Sequence, residues 1–72
     1  MNHEALHERM VEMGVSPAAL AEVLGISLRR FEAKCHESNG AAFTLRELRL
    51  LKRALCLTSR QMDDLFFDQK VS

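Results

Sequence analysis

Apolar positions along the chain fall into five short runs at helical spacing, separated by polar or glycine-containing breaks. Leu6, Met10 and Met13 make one stripe over Asn2–Met13, with Asn2 as a cap and Gly14 as the stop, which predicts a first helix. Val15 then turns inward. Ser16 to Lys34 reads as two short helices around a tight turn. Ser16 and Ser27 are placed to accept from the unpaired N–H groups of a first helical turn, and Pro17 follows where its missing N–H costs nothing. Gly25, between the helices, is the residue best able to take a positive φ. Leu20, Leu24, Ile26 and Phe31 supply apolar contacts, and Ala21 is small where two steeply crossing backbones would meet.

Asn39-Gly40 marks a loop over residues 36–42. After Phe43, Thr44 and Glu47 form a capping box, so a fourth helix is predicted to run to Leu55 or Cys56. Leu48, Leu51 and Leu55 face inward in that reading and Arg46, Arg49 and Arg53 outward, while Leu45 and Leu50 fall outside the stripe. Thr58 with Gln61 opens a fifth helix to about Phe67, in which Met62, Leu65 and Phe66 close the core and Phe67 must point elsewhere. The tail from Asp68 to Ser72 is expected to fray. The expected fold is all-α, a compact five-helix domain over residues 1–72.

Leu20-Ala21, Leu24-Gly25-Ile26-Ser27 and Phe31 resemble the DNA-binding domain of lambdoid phage repressors and Cro proteins, the XRE family, and the likeness runs from about Leu6 to Phe67. That resemblance implies a lambda-repressor-like domain whose second and third helices are a helix-turn-helix. It also implies double-stranded DNA as partner, action as a homodimer, no cofactor, and a regulatory role without an effector domain. In the family the C-terminal region commonly contributes to dimer contacts, which makes Phe67 the dimer candidate.

At about 100° per residue, Leu28, Phe31 and Cys35 form an apolar arc on the third helix, opposite Arg29, Arg30, Ala33 and Lys34. If that outer face enters the major groove, an arginine can bond guanine O6 and N7 with both arms, and a small residue can touch a thymine methyl. Base contacts are therefore assigned to Leu28, Arg29, Arg30 and Ala33, with Arg29 foremost, and DNA-backbone contacts to Ser16, Pro17, Ser27, Lys34 and Arg46. Glu32 is open between accepting from cytosine, pairing with Arg29, and a rim position. Two features depart from the family. Pro17 stands where relatives often carry a phosphate-contacting glutamine, and no lysine or arginine lies between Lys34 and Arg46.

The ten basic and ten acidic residues sum to zero, but they are not evenly spread. Residues 1–26 set Arg9 against Glu4, Glu8, Glu12 and Glu22, a net of −3; residues 27–60 carry eight cations against three glutamates, a net of +5; residues 61–72 have a net of −2. A basic middle suits a one-sided phosphate-binding surface, and equally an ordinary solvated helix face. A chain of 72 residues buries only roughly two-thirds of its unfolded surface. A deep cleft would consume that small core, which favours binding over catalysis, with no small-molecule substrate. No apolar run of membrane-spanning length and no signal-like segment is present, so a cytoplasmic protein without membrane contact is expected. Cys35 and Cys56 are expected as free thiols at apolar helical positions.

His3-Glu4-Ala5-Leu6-His7 matches the His-Glu-x-x-His pattern in which two histidines on one helical face grip zinc. A metalloprotease is not expected. The motif begins at the third residue, the chain has no material for a cleft, and His36, the remaining histidine, has its place set by the helix-turn-helix. No metal site and no catalytic residue are assigned, although His3 and His7 can bind zinc or nickel adventitiously. The competing reading of the whole chain is a protein-interaction module, such as an antirepressor, antitoxin or adaptor, on the same scaffold; near-neutral charge, Pro17 and the uncharged loop favour it.

Overall fold

Among the described residues five helices form where the caps and periodicities place them: α1 (His3–Met13), α2 (Pro17–Leu24), α3 (Leu28–Cys35), α4 (Leu45–Ala54) and α5 (Ser59–Phe66). The computed structural model describes residues 3–37 and 40–66, and no strand occurs among them, so the fold is all-α. Its radius of gyration of 11.4 Å matches the roughly 11 Å expected of a compact chain of this length. Asn2 and Phe67, named as a cap and a dimer contact, lie outside the described residues.

The other four predicted caps, Ser16, Ser27, Thr44 and Thr58, are all formed. The Ser16 hydroxyl accepts from the Ala19 N–H at 3.1 Å and the Ser27 hydroxyl from the Arg30 N–H at 3.1 Å. Both capping boxes close in both directions: Thr44 N–H donates to Glu47 Oε1 at 2.9 Å and Glu47 N–H to Thr44 Oγ1 at 3.1 Å, and Thr58 and Gln61 repeat the pattern. One apolar residue precedes each cap and another follows four positions after it, in the pairs Val15/Leu20, Ile26/Phe31, Phe43/Leu48 and Leu57/Met62. All eight belong to the core or pack against it. This is the hydrophobic staple arrangement, which sets the angle at which chain enters helix.

The helix ends are equally regular. Gly25 has φ +74°, donates its N–H to the Glu22 carbonyl, and lets Ile26 N–H reach back to Ala21 at 3.0 Å. Such a pair of hydrogen bonds closes a helix only when the residue after it adopts the left-handed conformation, which glycine does without a Cβ penalty. A Cβ at Gly25 would touch nothing, so the φ and not the space requires glycine here. The end of α4 uses the same geometry with a different residue. Leu57 N–H bonds the Lys52 carbonyl at 2.9 Å while Cys56 holds φ +52°. Cys56 is exposed and lies past the helix, contrary to the expectation that it packs as a small hydrophobe; the turn needs its backbone and leaves its side chain in solvent. Cys56→Gly is therefore expected to raise stability by about 0.5–1 kcal/mol, read as a Tm increase of a few degrees.

α2 packs on both α3 and α4, and α1 on α5. Leu6, Leu20, Leu51, Leu55 and Phe31 are the largest fully buried side chains. Phe43 from the α3–α4 connection bridges Phe31 and Phe66, with ring centroids 5.8 and 6.0 Å away. Leu48 is half-buried, Leu45 is exposed and Arg46, Arg49 and Arg53 face solvent as the periodicity indicates. Met13 does not continue the α1 stripe. It is 37% exposed, because Val15, brought back by the turn at Gly14, packs against the core next along the chain.

One long-range tie was not visible in the periodicity. Arg9 Nε donates to the Leu55 carbonyl at 3.0 Å and Nη2 to the Cys56 carbonyl at 3.1 Å. The guanidinium thereby satisfies the carbonyls left open where α4 ends, and a cation at a helix C-terminus also meets the negative end of the helix dipole.

Candidate nucleic-acid interface

The outward side of α3 begins at its cap. Ser27 holds the first turn, and the two residues that anchor the helix inward are Phe31 and Cys35, 2% and 6% exposed. With that side fixed, helical geometry turns Leu28, Arg29 and Arg30 to solvent and leaves Ala33 half-buried. Leu28 is 42% exposed, so it stands at the surface and not in the apolar arc. Neither Arg29 nor Arg30 is ion-paired with another described residue. Two unpartnered guanidinium groups beside one exposed leucine and one small residue are therefore presented from a rigidly capped helix.

Lys34 is not part of that surface. The helical wheel puts it with the outer cations, as a DNA-backbone contact, but it is only 8% exposed, and its Nζ sits 2.6 and 2.8 Å from the two Glu47 carboxylate oxygens. Position 34 lies at the border of the buried arc, next to Phe31 on the wheel, and the first turn of α4 covers that border. A long aliphatic stem can then run along the core while the ammonium finds a carboxylate. Glu47 serves both elements, capping α4 through Thr44 and receiving Lys34 from α3. Burial by itself would raise the Glu47 pKa; hydrogen bonds and charge from Lys34, together with the Thr44 donors, outweigh it and hold the carboxyl below its ordinary value.

The remaining assigned residues divide by their accessibility. Ser16, Ser27 and Arg46 are exposed; the two serine hydroxyls each accept one backbone bond and keep a proton to donate. Arg46 stands exposed in the first turn of α4, next in sequence to the Glu47 that Lys34 ties to α3. Pro17 is half-buried and lines a cavity between α1 and α3. Glu32 lines the same cavity and makes no ion pair with Arg29, which removes one of its three readings.

No helix among the described residues is long and apolar enough to cross a membrane. Neither a family model, nor a curated protein, nor a solved structure matches the chain.

Proposed function

We propose that the protein is a sequence-specific DNA-binding regulator of the phage repressor or Cro type, in which α2 and α3 act as a helix-turn-helix and α3 enters the major groove. The observation that carries this reading is the exposed, unpaired Arg29 and Arg30 on a helix whose other side is locked into the core. Arg29 and Arg30 read base edges, with Leu28 and Ala33 supplying apolar contact to thymine methyl groups. Ser16, Ser27, Arg46 and the N–H groups at the start of α2 hold phosphates, which fixes register without reading sequence. One module of this size makes few contacts. A homodimer on a palindromic site multiplies them, with half-sites about 34 Å apart.

The withdrawal of Lys34 into an ion pair favours a second reading, a protein-interaction module on the same scaffold, because it lowers the cationic charge of the α3 surface. Selection from random DNA duplexes separates the two. A regulator enriches one palindromic site, and binding to it weakens with salt at a log–log slope near −0.9 per phosphate neutralised. Arg29→Ala is expected to cost about 1–3 kcal/mol at one operator position and to relax the preference there. No enriched site, together with an Arg29→Ala protein that behaves as wild type, would leave the interaction module as the correct reading.

A further inference from the structure

All three histidines of the chain line one cavity of about 240 Å³ between the start of α1 and the end of α3, where His3, His7 and His36 meet Glu32. The His3 and His36 rings are in contact, centroids 4.3 Å apart and inclined by 33°. His3 and His7 also line an open groove with Glu4 and Glu8. Among the described residues neither wall contains a lysine or an arginine. Imidazoles framed by carboxylates and free of cations suit a positively charged ligand.

We infer that His3 and His36 form a binding site for a divalent transition-metal ion of the zinc class, joining the N-terminal turn of α1 to the C-terminal end of α3. Zinc takes neutral imidazole nitrogen at 2.0–2.1 Å, so two ligating nitrogens in a tetrahedral site lie about 3.3 Å apart. The centroids of two imidazoles on one such zinc stand about 5 Å apart, so rings now 4.3 Å apart must rotate and part slightly to take the ion between them. Among the described residues no three His, Cys, Asp or Glu side chains already stand as a ligand set. The site therefore rests on two imidazoles with water in the other positions, and exposed His7, one turn along α1, supplies a third when its side chain swings inward. Cys35 lines the cavity but is not counted as a ligand: burial, and then the charge of Glu32, push its thiol up to about 11. The sequence motif pairs His3 with His7 alone, and only the fold brings His36 to His3.

The test uses the full chain without a histidine tag, titrated with zinc chloride by calorimetry at pH 7.5, alongside His3→Ala, His7→Ala and His36→Ala. His36 is exposed at the end of α3 with an ordinary backbone conformation, so its replacement leaves the fold intact, and helix content by circular dichroism verifies this. One equivalent of zinc is expected to bind. Both His3→Ala and His36→Ala should weaken it roughly tenfold or more, and zinc should raise the Tm of the wild-type chain but not of His36→Ala. Absence of stoichiometric zinc overturns the site. So does a His36→Ala protein that binds as wild type, since the i,i+4 pair on α1 would then suffice.

Discussion

Phe31→Ala is expected to lower the unfolding free energy by about 4 kcal/mol, within the 3–5 kcal/mol found for large aromatic truncations in packed cores. A chain of this length has a total stability of roughly 4–11 kcal/mol, so the variant should be largely unfolded or strongly shifted in urea. The ring is 2% exposed, contacts Phe43, and with Cys35 holds α3 to the rest of the molecule. Its removal leaves a void that α3 cannot fill, because the helix is pinned at both ends by Ser27 and by the Lys34–Glu47 pair. Phe31→Leu keeps most of the volume and should cost less than half as much. A chemical denaturation series on the two variants checks both magnitudes. Near-equal midpoints for Phe31→Ala and wild type would mean that α3 is not anchored through this ring.

Lys34→Met is expected to cost about 3 kcal/mol at pH 7. Methionine replaces the aliphatic stem well, so the loss comes from leaving the Glu47 carboxylate 6% exposed without its counter-charge. Breaking one side of a buried ion pair generally costs 3–5 kcal/mol, and the lower end applies because Thr44 N–H remains bonded to Glu47 Oε1. The double variant Lys34→Met/Glu47→Gln should recover much of the loss, since the amide oxygen still caps α4 and no charge is stranded.

The pH dependence has a definite sign. Glu47 has a folded pKa below its ordinary 4.5. The stability it contributes is present above that unfolded-state value and is lost as pH falls through the lower folded one. In Lys34→Met the lowering supplied by Lys34 is gone and the carboxyl becomes easier to protonate, so its penalty fades in acid. The gap between wild type and Lys34→Met should accordingly be widest near neutrality and narrow below about pH 4.5. Denaturation at pH 7 and pH 4 reads this directly, and a gap that stays constant would exclude a charge-based coupling of α3 to α4.

Much of the architecture is legible along the chain because its determinants are local. A serine or threonine oxygen bonds an N–H three residues on, a glycine tolerates a positive φ where it stands, and apolar spacing repeats every three or four residues. Ser16, Ser27, Thr44 and Thr58 all cap as their positions indicate, and Gly25 makes the α2–α3 turn. The staple residues flanking the caps carried a further signal, readable at fixed offsets. Arg29 and Arg30 are exposed as the helical wheel places them, since a strong inward anchor at Phe31 leaves little choice for the opposite side.

Three features required the assembled fold. Lys34 lies at the edge of the α3 wheel, where angle alone does not separate solvent from burial; the approach of α4 decided it. Arg9 sits in an acidic helix with Glu12 as its local partner, yet it also reaches carbonyls at the far end of α4. His36 lies 33 residues from His3, a separation that no periodicity spans. By itself the sequence determined the helices, their caps, the α2–α3 turn and the outward direction of Arg29 and Arg30, because hydrogen bonds and steric preferences within a few residues suffice for each. Only the tertiary structure decided which charges remain available and which histidines meet, because those outcomes depend on contacts between helices distant in the chain.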